Sequence, residues 1–193
     1  MSVKGKITGI VSNLISIEVD GPVSQNEICY VIIENSKLMS EVIKIVGNIA
    51  YAQIFESTRT VKVGMPVEFT GNMLEIELGP GLLSKNFDGL QNDLDKKTGI
   101  FLKKGEYTEA LDRNIKYKFT PLVKKGDIVI AGDWLGSVKE NWIDHKIMVP
   151  FKLNGKWEVK DIVNNGEYTI TDKIATLVNE NKEEVSVTMV QKW

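Results

Sequence analysis

The sequence predicts a mainly β protein: an N-terminal six-stranded β-barrel, a short connector with a helix, and then a small β-sandwich of the barrel-sandwich type. Two observations support this fold class. β-Branched residues alternate with polar residues through positions 1–70, and turn residues interrupt them at close intervals. Between positions 107 and 187, short apolar runs again flank glycine-containing turns.

The barrel is predicted from short strands separated by turn residues. The clearest alternation places Ile15, Ile17 and Val19 on one face of a strand. Closure into a barrel removes the edges that such short strands would otherwise expose. The candidate strands are residues 4–11, 15–19, 28–33, 38–46, 49–55 and 61–69. The turns between them are predicted at 12–13, 21–22, 34–36 and 47–48.

The texture of the sequence changes after Gly71, where a connector begins. Gly79, Pro80 and Gly81 predict a tight turn, and residues 82–87 after it predict a short helix. The second β-rich region contains a weak internal echo, since 123–135 and 162–170 each follow the pattern strand, glycine turn, strand. The tight turns are assigned to the Gly-Asp or Gly-Glu pairs at 126–127, 132–133 and 166–167.

Charge and hydropathy exclude two classes of partner. The 193 residues carry 24 Lys and Arg against 26 Asp and Glu, so no excess of positive charge is available to neutralise phosphates, and nucleic acid is not expected as a partner. No apolar run approaches the roughly 18 to 20 residues that span a bilayer. The first residues after Met1 also lack the apolar core of a signal peptide, so a soluble, cytoplasmic protein is expected.

The motifs that would carry chemistry are incomplete. Residues 79–86 approach the phosphate-loop pattern, but Ser84 replaces its last glycine and Asn86 replaces its hydroxyl residue, which favours a structural turn. His145 is the only histidine and has no second ligand at metal spacing from Cys29. We interpret Cys29 as a buried, inert thiol and His145 as a hairpin residue.

Lys146 offers a different interpretation. A lysine on a central hairpin of a glycine-punctuated β-sandwich is the design of biotinyl and lipoyl carrier domains, in which the lysine must be exposed at a tip. The flanking residues match that signature only loosely, so an ordinary surface lysine is favoured. Four tryptophans fall in strand-like contexts and are assigned to core or interface packing: Trp134, Trp142, Trp157 and Trp193.

A resemblance to a known family extends across nearly the whole chain. The run from Leu74 to Leu83, continued from Phe87 to Gln91, resembles the catalytic A subunit, or alpha chain, of V-type and archaeal-type rotary ATPases. The matching structural positions of this motif are Gly79, Pro80, Gly81, Phe87, Asp88, Gly89 and Gln91. Further matches occur in order at 5–7, 21–23, 41–43, 53–58, 64–67, 101–105, 119–121, 125–127, 131–133, 145–150, 166–169 and 189–193. Departures from the family pattern are Ser40 for glycine, Asn48 for Asp, and Asn92-Asp93 for Arg-Pro.

The resemblance implies four segments. These are an N-terminal barrel at 1–70, a connector and start of the core domain at 71–110, a bulge or non-homologous β domain at 111–185, and a lead-in at 186–193 to a nucleotide-binding domain. The family's phosphate loop, glutamate and aromatic pocket would lie beyond Trp193. We therefore expect no catalytic, cofactor-binding or metal-binding residue in these positions.

For the parent subunit, the resemblance implies hydrolysis or synthesis of ATP with magnesium, coupled to proton or sodium transport. The expected partners are B subunits and other A subunits in an alternating ring, with peripheral stalk subunits contacting the bulge. The parent would be peripheral to the membrane, with no direct insertion. A free-standing β adaptor and, less favoured, a carrier domain modified on Lys146 are the alternatives.

Overall fold

The computed structural model of the protein describes residues 3–34, 36–96 and 107–193. The predicted turn residue Asn35 and the family-like stretch at 101–105 lie outside these ranges. The chain divides into two compact units. The first comprises Met1–Glu75 with Lys97–Tyr107, and the second comprises Ile76–Lys96 with Thr108–Trp193.

The first unit is a closed antiparallel barrel, as predicted. Its strands are β1 (Lys4–Val11), β2 (Leu14–Val19), β3 (Glu27–Ile33), β4 (Ser36–Val46), β5 (Ile49–Ile54) and β6 (Pro66–Met73). They pair in the order β1-β2-β5-β4-β3-β6. Pairing of Gly5 in β1 with Val67 in β6 closes the sheet on itself. The alternation seen in the sequence is confirmed, because Ile15 and Ile17 point inward and are fully buried.

The sixth barrel strand lies later than predicted. The sequence pattern begins it at Val61, whereas β6 begins at Pro66 and runs to Met73. Gly64 adopts a φ of 89°, a left-handed conformation that interrupts an extended strand. Its amide donates to the carbonyl of Ile7 at 2.7 Å, so these residues form a turn against β1. Val61 nevertheless packs against the barrel core.

The second unit contains two four-stranded antiparallel sheets and one two-stranded sheet. Its strands are β7 (Glu77–Leu78), β8 (Lys116–Pro121), β9 (Ile128–Val129), β10 (Trp134–Glu140), β11 (Ile143–Met148), β12 (Trp157–Ile162), β13 (Gly166–Thr169), β14 (Ala175–Val178), β15 (Glu184–Val187) and β16 (Gln191–Lys192). The sheet orders are β11-β10-β8-β13, β15-β14-β12-β9 and β16-β7. The small sandwich that the sequence predicts is therefore confirmed as a fold class.

This unit has two apolar clusters. One surrounds Trp157 and Leu177, and the other surrounds Phe119 and Ile147. Ile162 packs against both clusters. A Cβ atom on Gly136 would lie 2.2 Å from the ring of Phe119, so only glycine fits beneath that ring.

The short helix predicted at 82–87 is absent, and the segment consists of turns and irregular structure. Ser84 has a φ of 64°, which a right-handed helix cannot contain. Among the described residues the connector's helical element is the 3-10 helix Leu94–Lys96.

The predicted hairpin turns are partly correct. Gly126 and Gly132 have φ values of 91° and 87° and lie in turns. Gly166-Glu167, by contrast, begins strand β13, where it pairs with β8 opposite Phe119 and Lys118. Hydrogen bonding to β8 keeps this segment extended, and the local presence of glycine gives no information about that distant partner strand.

The four tryptophans, assigned to core or interface packing, divide into one core residue and three exposed residues. Trp157 is 5% exposed and lies in the core, whereas Trp134, Trp142 and Trp193 are 55%, 79% and 52% exposed. Exposure excludes core packing for these three side chains, and packing at an interface stays a prediction for them.

Candidate functional site

The motif residues from Gly79 to Gln91 form a set of turns in the second unit, and two of its glycines, Gly79 and Gly81, lie against neighbouring atoms. Gly81 has a φ of 104°, and a Cβ atom on it would lie 2.6 Å from the Tyr117 hydroxyl oxygen. A Cβ atom on Gly79 would lie 3.0 Å from the Met189 carbonyl oxygen. The turn predicted at Gly79, Pro80 and Gly81 is therefore formed by close backbone packing as well as by local conformation.

A buried carboxylate accepts hydrogen bonds from backbone amides in and after this turn. Glu140, at the end of β10, is 6% exposed, and its Oε1 accepts hydrogen bonds from the Gly81 amide at 2.7 Å and the Leu83 amide at 3.2 Å. Its Oε2 lies 2.8 Å from Nδ1 of His145 on β11. Successive backbone amides form anion-binding concavities in phosphate sites. Here the chain's own side chain supplies the anion.

The lysine of the phosphate-loop-like segment is also paired. Lys85 Nζ lies 3.5 Å from a carboxylate oxygen of Asp93, and Lys96 Nζ lies 3.8 Å from the same oxygen. Asp93 is 1% exposed, so this carboxylate is removed from water and is compensated by both lysines. Lys85 is thus held in a structural ion pair.

The second half of the motif is a turn held by hydrogen bonds from side chains to the backbone. Asp88 Oδ1 accepts from the Leu90 amide at 2.9 Å and the Asn92 amide at 2.8 Å. Gln91, with a φ of 60°, donates from Nε2 to the Glu77 carbonyl at 2.6 Å and accepts from the Glu77 amide at 2.7 Å. These bonds attach the turn to β7 at the main chain.

The remaining motif positions have smaller roles. Phe87 forms an isolated antiparallel bridge with Asp93. A Cβ atom on Gly89 would meet no atom within 4 Å. Phe87 therefore pairs with Asp93 through the backbone, and position 89 has room for a larger residue than glycine.

Asn92 and Asp93, the two residues that depart from the family-like motif, both contact Thr108. The Asn92 side-chain oxygen accepts from the Thr108 amide at 2.9 Å, and the Asp93 amide donates to the Thr108 hydroxyl at 2.8 Å. The pair thus binds the residue at which the chain re-enters the second unit. The two residues stand out in the sequence, but their contacts with Thr108 are visible only in the structure.

An ion pair adds a further tie to β7. Arg113 donates to a carboxylate oxygen of Glu77 at 2.6 Å. The hydrogen bond and charge of Glu77 raise the pKa of Arg113 above its usual value. Neither residue was singled out from the sequence, because a charged pair distant in sequence has no local signature.

The carrier interpretation of Lys146 does not match its position. Lys146 lies within β11 opposite Ser137, not at the hairpin tip, which is formed by Asn141 and Trp142. Its Nζ lies 5.2 Å from the ring centroid of Trp134, a cation–π distance. A lysine presented to a modifying enzyme would instead stand at the turn.

Two other single-residue predictions are confirmed. His145 lies in the β10–β11 hairpin, opposite Val138. Cys29 is fully buried, and burial raises the pKa of its thiol to about 12. A thiol of that kind is protonated near neutral pH and unreactive.

The described ranges hold neither a group of metal-ligating side chains nor a membrane-spanning helix. No three His, Cys, Asp or Glu side chains within 3–34, 36–96 and 107–193 are grouped so that they could hold a metal ion. Nor does any helix in those ranges have the length and apolar character needed to cross a membrane.

Family comparisons agree with both units. The beta-barrel domain of the ATP synthase alpha/beta family matches residues 7–71, and the ATP synthase alpha/beta subunit barrel-sandwich domain matches residues 108–193. V-type ATP synthase alpha chains from Protochlamydia amoebophila and Treponema denticola are each 46% identical over 193 residues, which cover 98% of this chain. The corresponding protein of Borrelia duttonii is 45% identical over 196 residues. The chain spans about a third of the length of these relatives, 32% to 34%.

Proposed function

This chain belongs to the ATP synthase alpha/beta family as a homologue of the N-terminal region of V-type ATP synthase alpha chains, and we propose that it supplies assembly contacts rather than catalysis to such a subunit. The observation that supports its non-catalytic part is the hydrogen bonding of Glu140 to the amides of Gly81 and Leu83. The one segment that approaches a phosphate loop has a carboxylate where a phosphate would bind. In the parent, ATP and magnesium would therefore bind elsewhere.

The four-segment division is part of the proposal. Residues 1–70 form the barrel, 71–110 the connector, 111–185 the bulge, and 186–193 the lead-in to a nucleotide-binding domain. In the parent, ATP hydrolysis or synthesis would be coupled to proton or sodium transport by a ring of alternating A and B subunits. That ring would be cytoplasmic and peripheral to the membrane.

The barrel suits a role in ring assembly. It is closed, so its strands offer no free edge for unwanted pairing. Its surface carries exposed apolar side chains at Val11 and Val63, 74% and 63% exposed, which would contact the barrels of neighbouring A and B subunits.

The bulge suits a contact with the peripheral stalk. Trp142 at the β10–β11 hairpin tip is 79% exposed, and interfaces are enriched in such aromatic anchors. Next to the tip, the Glu140 carboxylate on β10 contacts His145 on β11 across the hairpin. A rigid hairpin loses little conformational entropy when its tip binds.

The assembly proposal is tested with the full-length alpha chain, its B subunits and its stalk subunits. We expect Trp142→Ala to weaken stalk capture by at least about tenfold, as loss of an interface anchor does, while the ring still forms. Val46→Ala, which changes an exposed apolar residue at the end of β4 in the barrel, is the control and should leave stalk capture unchanged. Equal stalk capture after deletion of residues 111–185 would contradict the bulge assignment.

The non-catalytic part of the proposal is tested with the 193-residue chain itself. We expect no ATP hydrolysis above the buffer rate and no change in the Gly81 and Leu83 amide resonances when magnesium and ATP are added. Measurable turnover by the chain alone would refute this assignment.

A further inference from the structure

Glu140 is connected to three donors that come from two separate parts of the second unit. The Gly81 and Leu83 amides belong to residues 79–83, which we name the glycine loop, and the third donor is His145 on the neighbouring strand. The hairpin makes one more, longer contact beside the loop: the Asn141 side-chain nitrogen lies 3.4 Å from the Ser84 hydroxyl. The hairpin and the loop therefore meet through a small polar cluster around one carboxylate.

The chemistry of this carboxylate determines the state of the histidine. An ionised carboxylate can only accept hydrogen bonds, so each of its three contacts must come from an N–H group. With Glu140 ionised, His145 is thus the donor in this contact, from Nδ1 at 2.8 Å. A neutral imidazole with its proton on Nε2 would oppose two acceptors.

The loop needs a hydrogen-bond acceptor at this position. Its two amides point at one oxygen, Gly81 has a left-handed φ of 104°, and Glu140 is 6% exposed. Buried amides left without an acceptor cost free energy, and a buried charge without donors costs more. The Glu140 carboxylate and the two loop amides thus stabilise each other.

We propose that Glu140 is a positioning residue whose carboxylate acts as an internal anion, filling an anion site built by the glycine loop and fastening that loop to the β10–β11 hairpin. When this side chain is removed, the vacated site takes a small carboxylate from solution. The inference concerns the second unit alone and does not depend on the assembly function proposed above.

The first test measures amide hydrogen exchange in the 193-residue chain and in its Glu140→Ala variant. Exchange at Gly81 and Leu83 should accelerate at least about tenfold, because hydrogen bonds to charged groups are strong ones. Asp144→Ala is the matched control: Asp144 is a carboxylate on the same hairpin, but it is exposed and pairs with Lys139. That variant should leave both amides unchanged.

Rescue by an external anion tests the site itself. Sodium formate should slow exchange at both amides in Glu140→Ala, with saturation, whereas sodium chloride at the same ionic strength should not. Unchanged exchange in Glu140→Ala, or equal slowing by both salts, would overturn the proposal.

The tautomer of His145 gives a readout that does not require the alanine variant to fold. In the unsubstituted chain, ¹⁵N shifts at a pH where the imidazole is neutral should show a proton on Nδ1. In Glu140→Gln, the amide oxygen can still accept from Gly81 and Leu83 while its NH₂ group faces His145, so the proton should move to Nε2. An Nε2–H tautomer in the unsubstituted chain, or no change of tautomer in Glu140→Gln, would refute the assigned contact.

Discussion

The two units of this chain hold their shape by different means. The barrel closes one sheet around a single apolar cluster, and its buried carboxylate Glu27 accepts bonds from the Ser24 and Gly71 amides. The second unit divides its apolar residues between two clusters and fixes its turns with the side chains of Glu140, Asp88 and other polar residues. The described residues of the barrel thus share one apolar cluster where the second unit has two, and both units use a buried carboxylate to bond loop amides.

The largest expected effect comes from removing a fully buried ring in either unit. Phe69→Ala in the barrel and Phe119→Ala in the second unit should each cost about 3–5 kcal/mol of unfolding free energy, through lost burial and a residual cavity. Hydrogen exchange should show lost protection concentrated in the unit that carries the substitution. Loss spread evenly through both units in either variant would remove the contrast drawn above.

The buried ion pairs of Asp93 should come next. Asp93→Asn keeps the size of the side chain but leaves Lys85 and Lys96 without their shared anion, so we expect a loss of about 1.5–3 kcal/mol. Urea unfolding monitored in the second unit measures it. Asp144→Asn, whose carboxylate is exposed beside Lys139, should change stability by less than about 1 kcal/mol. Equal effects in the two variants would show that burial of Asp93 contributes nothing.

A methyl group at Gly136 should be nearly as damaging. The added Cβ would lie 2.2 Å from the Phe119 ring, so Gly136→Ala must displace that ring, at a cost of about 1–3 kcal/mol for overpacking. Gly89→Ala is the control, since it meets no atom within 4 Å. Thermal unfolding of both variants compares them directly, and equal melting temperatures would disprove the close contact.

The effect that is smallest at neutral pH concerns Cys29 in the barrel, because its contribution to stability changes only above pH 9. Burial raises the pKa of its thiol from 9.0 to about 12, so the unfolded chain loses this proton at a lower pH than the folded chain. The stabilisation is complete below pH 9 and is lost as pH rises from there towards 12, by about 1.4 kcal/mol per pH unit. Cys29→Ala should flatten that part of the stability profile relative to the unsubstituted chain. An identical slope in both would contradict the shift.

Much of the barrel follows from local pattern. Ile15 and Ile17 alternate with polar residues, and a period of two can bury only one face of a strand. Closure then follows from the number of short strands. The predicted start of β6 is too early, because Val61 is apolar and buried but lies outside any strand. Its hydrophobicity indicates burial and gives no information about its backbone conformation.

The candidate site was only partly predictable. The sequence marks Gly79, Pro80 and Gly81 as a turn and excludes a working phosphate loop, because Ser84 and Asn86 lack the required chemistry. It contains no sign that Glu140 supplies the anion, since 59 positions separate that residue from Gly81. Nor does it show that Trp142 stands exposed at a hairpin tip while Trp157 is buried.

The sequence alone determined the β class, the six-stranded barrel and the family, because side-chain alternation and ordered motifs are properties of neighbouring residues. Only the tertiary structure decided which groups satisfy the glycine loop, where Lys85 finds its partner, and which tryptophans reach solvent. The physical reason is that hydrogen bonds and ion pairs are short-range contacts. Folding creates them between residues whose distance along the chain gives no indication of their distance in space.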